Sequence, residues 1–86
     1  MSEVEKTQLD YFRDVTSQLK EMRHYAQNNT ETLSAQWLAF DAGEYKHKEF
    51  ADQINTLLNE QGKLLDNIDA TIQNIDIEIN HQEQES

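Results

Sequence analysis

The stretch INTLLNEQGKLLDNIDATIQNIDIEI, residues 54–79, decides the fold. Ile54, Leu58, Gln61, Leu65, Ile68, Ile72, Ile75 and Ile79 recur at alternating steps of four and three residues. That period places all eight on one stripe of a helix, and a stripe kept up over more than three heptads reads as a coiled-coil seam. Gln61 is its one polar member. Leu57 and Leu64 widen the stripe near its start, and beyond Leu64 it narrows to isoleucines. The wide part is expected to meet more than one neighbour. Ile77 falls off the stripe, and nothing in the sequence explains it.

Upstream, Phe12, Val15, Leu19, Met22, Ala26, Asn29 and Leu33 form a second stripe at steps of three and four, and Trp37 and Phe40 continue it. Arg13, Lys20 and Arg23 fall between these positions with Asp10, Asp14 and Glu21, as a solvated helix face requires. Two places between the stripes can turn the chain, the polar cluster at 28–30 and the stretch at 41–43. Because Leu33, Trp37 and Phe40 keep the helical step, the sequence predicts one helix over residues 4–40 and a turn over 41–44. Gly43 is expected there to take the positive φ that ends a helix cheaply. A second helix is predicted over 45–80, followed by a frayed acidic tail over 81–86. Gly62 reads as a tolerated interior glycine costing about 1 kcal/mol relative to Ala, or as a point where another helix comes close.

The fold class expected is all-α, a single antiparallel two-helix hairpin completed to a four-helix bundle by a partner or by self-association. Two helices share only one buried seam, so the widened face at Phe50, Ile54, Leu57, Leu58, Leu64 and Leu65 needs a further cover. With Trp37, Phe40 and Tyr45 at the bend, these nine residues are the candidate partner-binding set. Large aromatics often anchor interfaces. For Trp37 the alternative is a core anchor closing the hairpin.

Composition removes most other classes. The 86 residues include 17 acidic and 7 basic side chains, a net charge of −10, with no cysteine, no proline and two glycines. Disulfides and thiolate zinc sites are therefore out, and few places let the backbone turn. The charge opposes both nucleic acid and an anionic membrane surface. Apolar runs of two or three residues fall far short of the roughly 20 that cross a bilayer. The opening MSEVEKTQLDYFRDV lacks the basic start and apolar run of a secretory leader. A cytoplasmic protein is expected, and any export must read a folded signal.

His24, His47 and His81 are scattered singly, and only His47 with Asp41 or Glu44 suggests even a weak metal site. There is no cysteine or Gly-flanked serine to act as nucleophile, and no glycine loop to cradle phosphate. Enzyme activity, a cofactor, a metal and a small-molecule substrate are all unexpected. The partner expected is another helical protein or a second copy. A carboxylate-studded rod filling a basic groove in place of DNA is a lesser alternative.

Trp37 near the middle of the chain, followed by Ala39, Gly43 and Tyr45, resembles the central Trp-x-Gly motif of the small helical hairpins exported by type VII secretion systems, the WXG or early-secretory-antigen-like family. Chain length, the absence of cysteine and the long flanking amphipathic helices are similar too. Ala39 stands where the family has Gly, and Ile72-x-x-x-Asp76 is the nearest match to its Tyr-x-x-x-Asp/Glu export signal. The resemblance implies a divergent member, or a dedicated helical partner of a larger exported protein that supplies the signal. A non-enzymatic substrate or targeting partner is the function it implies.

Overall fold

The computed structural model describes residues 7–85. Two helices, α1 (Gln8–Asp41) and α2 (Lys48–Glu85), run antiparallel as an extended hairpin measuring 59 × 26 × 14 Å. The two-helix fold read from the sequence is therefore present. Its boundaries differ in detail.

The start of α1 is set by chemistry at Thr7. Its backbone is extended (φ −73°, ψ 163°) and its Oγ1 accepts the Asp10 amide at 3.1 Å, satisfying one of the donors that a helix start leaves orphaned. Residues 4–6, which the sequence pattern joined to this helix, lie outside the described residues. At the other end the Ala42 amide donates to the Leu38 carbonyl at 3.2 Å.

Gly43 acts differently from the expectation. None of the described residues has a positive φ, so its role is close approach. A Cβ at this position would lie 2.9 Å from Ala39 Cα and 3.0 Å from Ala39 O. The turn also runs longer than 41–44, and α2 begins at Lys48 rather than at 45. His47 makes this delay stable. Its amide donates across the bend to the Phe40 carbonyl (2.8 Å), its carbonyl accepts the Ala51 amide (2.9 Å), and its Nδ1 accepts the Phe50 amide (3.3 Å). The imidazole stacks on the Phe50 ring at 4.0 Å, and Phe50 meets Phe40 edge to face at 5.6 Å. A T-shaped aromatic pair of this kind adds to simple area burial.

The far end of α2 corrects a second expectation. Helix continues through 81–85 instead of fraying, because the last turns are tied to α1. Arg13 pairs with Glu83, and the Gln82 amide donates to Gln8 Oε1 (3.3 Å) and to Glu78 Oε2 (3.0 Å).

Side chains of the two helices meet along one seam. On α1 it is Leu9, Phe12, Thr16, Leu19, Arg23, Ala26, Thr30, Leu33, Trp37 and Phe40, all buried or half-buried. On α2 it is Ala51, Ile54, Leu58, Gln61, Leu65, Ile68, Ile72, Ile75, Ile79 and Gln82. The α2 stripe is the one the sequence shows. The α1 stripe is rotated by one residue at every second position, taking Thr16, Arg23 and Thr30 where the apolar pattern had Val15, Met22 and Asn29.

The physical reason is that two phases compete on α1. The phase containing Val15 and Met22 would bury the amide of Asn29, whereas Leu33, Trp37 and Phe40 belong to both phases. The phase adopted puts Thr16, Arg23 and Thr30 in the seam instead. Its polar members are satisfied locally: the Thr16 hydroxyl donates to the Arg13 carbonyl and the Thr30 hydroxyl to the Ala26 carbonyl, both at 2.9 Å, the back-bonding open to Ser and Thr in helices. Arg23 lays its stem in the seam and reaches Asp69 at 2.7 Å.

The two glycines should respond oppositely to alanine. A Cβ at Gly62 meets nothing within 4 Å, which discards the close-approach reading, so Gly62→Ala is expected to stabilise by about 1 kcal/mol through helix propensity. Gly43→Ala must move the bend against Ala39 and is expected to destabilise by about 1–3 kcal/mol. Urea unfolding followed by circular dichroism measures both.

Candidate docking face

Residues beside the seam give the hairpin two unlike broad sides. Positions one residue after a seam member carry the ion pair Arg13–Glu83 and the Asp69 carboxylate that Arg23 reaches from the seam, along with Lys20, Asp66 and Asp76. Arginines from α1 there meet carboxylates of α2. Positions one residue before a seam member are of another character. On α1 they include Tyr11, Val15 and Met22, and on α2 Phe50, Leu57 and Leu64.

Two shallow grooves show that these latter positions share one side. A groove of about 350 Å³ near the open end is lined by Tyr11, Phe12 and Val15 against Thr71, Asn74, Ile75 and Glu78. A second, of about 330 Å³, lies nearer the bend between Asn29, Thr32, Leu33 and Gln36 on α1 and Leu57, Glu60 and Gln61 on α2. Tyr11 and Asn29, Val15 and Leu33, Leu57 and Ile75, and Glu60 and Glu78 are each 18 residues apart, five turns at about 3.6 residues per turn. Both grooves therefore open in the same direction.

Apolar side chains run obliquely over this side. Tyr11, Val15 and Met22 occupy the open-end half on α1, and Leu64, Leu57 and Phe50 continue the line on α2 toward the bend. Leu57 is 47% exposed and Leu64 45%, while Ile68 and Ile72 a turn or two further along are 5% and 3% exposed. Polar positions on the flank are mostly neutral: Gln18, Asn29, Thr32, Gln36, Gln53, Asn67, Thr71 and Asn74. Its charged members are Glu60 and Glu78, and neither carboxylate meets a cation among the described residues. At the edge of the second groove, Gln61 Oε1 is buried without a hydrogen-bond partner, a costly arrangement for an amide oxygen.

The nine partner-binding residues suggested by the sequence divide under this geometry. Ile54, Leu58 and Leu65 are half-buried in the seam of the hairpin itself. Phe50, Leu57 and Leu64 remain exposed on the uncovered flank. Phe40 and Phe50 pack on each other at the bend, and Tyr45 projects from the turn. Trp37 lies a full helical turn before the end of α1, half-buried in the seam, so it does not project from the bend as a sequence reading of it as a recognition anchor requires. Tyr11, Val15 and Met22 were missed as members of a free face. Their signal was the overlap of two stripes on α1, only one of which a single neighbour can cover.

Among the described residues no group of His, Cys, Asp and Glu is arranged to hold a metal, and His47 is engaged in the bend. No helix there is long and apolar enough to cross a membrane. No protein-family model, curated protein or solved structure matches the chain.

Truncations on the two sides should separate seam from flank. Trp37→Ala is expected to lower stability by roughly 2 kcal/mol, below the 3–5 of a fully buried aromatic because the indole is half-covered. Leu57→Ala should stay within about 1 kcal/mol, as an exposed position does. Equal losses in thermal or urea unfolding would mean that Leu57 belongs to the core.

Proposed function

We propose that the chain is a non-enzymatic helical adaptor of a type VII-like secretion pathway, either a small substrate or a targeting partner that binds the helical domain of a larger exported protein. The observation that carries the adaptor part is the uncovered apolar flank. Tyr11, Met22, Phe50, Leu57 and Leu64 are exposed on one side while the opposite side carries the inter-helix ion pairs, and monomers seldom leave a large contiguous apolar patch in water. The secretion part rests on the resemblance at Trp37, Ala39, Gly43 and Tyr45. Of these, Gly43 is the position where the bend needs a missing side chain, since a Cβ there would meet the Ala39 backbone.

Self-association is the second reading. Isoleucine at both seam positions favours assemblies of more than two helices, but Ile68, Ile72, Ile75 and Ile79 are already packed inside the hairpin, which leaves the same flank to support it.

Co-expression with the proteins encoded beside this gene, followed by affinity purification, tests the proposal. A stable complex with the helical domain of a large exported protein, lost on Leu57→Gln together with Leu64→Gln, is the expected result. Absence of any complex with the products of a cluster that encodes a secretion ATPase would refute it.

A further inference from the structure

Chemistry of the uncovered flank selects among the things that could lie on it. Every residue preceding a seam member is apolar or a neutral polar group, apart from His81 and the two carboxylates Glu60 and Glu78. Those carboxylates stand on the rims of the two grooves, Glu60 at the groove near the bend and Glu78 at the groove near the open end. They are five helical turns apart, about 27 Å along α2 at 1.5 Å per residue. The lysines and arginines among the described residues lie elsewhere: Arg13 and Lys20 on the opposite flank, Arg23 in the seam, Lys46 and Lys48 at the bend, and Lys63 away from both grooves.

We infer that the occupant of this flank is an amphipathic helix of another protein whose apolar stripe is bordered by Lys or Arg. The reading rests on the adaptor function above and adds the chemistry of the partner. Its apolar stripe would cover the line from Tyr11 to Phe50 as a helix laid in a groove. Its basic border would meet Glu60 and Glu78, and a cationic segment would be drawn to a chain of net charge −10 by long-range attraction. A second copy fits less well. It brings another −10 to the contact, and among the described residues its own flank has no lysine or arginine to offer either glutamate.

The test uses the full 86-residue chain and two synthetic helical peptides, with leucine at the seam positions and either lysine or glutamate at the bordering ones. Fluorescence anisotropy is expected to give at least about tenfold tighter binding of the lysine-bordered peptide, weakening as salt rises. Leu57→Gln with Leu64→Gln should weaken that peptide at least about tenfold, the loss typical of central apolar contacts. Glu60→Gln with Glu78→Gln should shrink the preference between the peptides. Ile77→Gln alters an exposed isoleucine on neither groove and should change nothing. Circular dichroism on each variant confirms that the hairpin persists.

Equal affinity for the two peptides overturns the inference, and so does full binding by the Leu57→Gln, Leu64→Gln chain. Sedimentation equilibrium showing a dimer abolished by those two substitutions assigns the flank to a second copy instead. If neither peptide binds but a helical protein from the native host still co-purifies through this flank, the adaptor reading stands and the basic chemistry falls.

Discussion

Everything distinctive about this hairpin follows from the angle at which α1 is turned toward α2. A helix with two overlapping stripes can press only one of them into a single antiparallel neighbour. The stripe chosen lets Arg23 reach Asp69 from within the seam, beside the Arg13–Glu83 pair near the open end. Exposed ion pairs of this kind are individually worth at most about 1 kcal/mol, so the aliphatic seam and the indole of Trp37, common to both stripes, carry most of the stability and the pairs select between near-equal phases. Thr16 and Thr30 make the choice tolerable by bonding their hydroxyls to their own helix.

That rotation has a consequence on the other side. Val15 and Met22, displaced from the seam, join Tyr11 and the α2 residues Phe50, Leu57 and Leu64 to form a face low in charge in an otherwise strongly acidic protein. A long thin hairpin, 14 Å in its smallest dimension, cannot fold back to cover such a face. None of the described residues covers it, and the carboxylates among its described members are Glu60 and Glu78.

The bend shows the same economy of means. Its geometry depends on His47, which caps α2, stacks on Phe50 and bonds across to Phe40, and on the absence of a side chain at Gly43. A histidine beside Asp41 and Glu44 suggests a ligand on spacing alone, whereas its ring here serves as a helix cap.

The two long helices, their antiparallel pairing and the α2 seam were legible in the sequence because helical periodicity is a local property: Ile54 to Ile79 repeat with one step pattern and only one stripe answers to it. Charge and composition likewise sufficed to set aside a disulfide scaffold and thiolate zinc. The phase of α1 was not legible, since Val15–Met22 and Thr16–Arg23 are both on plausible stripes and the contest turns on contacts with residues more than forty positions away on α2, such as the Asp69 carboxylate that Arg23 reaches. The same holds for the persistence of helix through 81–85, which depends on Arg13 and Gln8 of the opposite helix. Which apolar residues remain exposed is a question about a partner surface, and sequence periodicity has no means of subtracting one helix from another; only the packed pair does that.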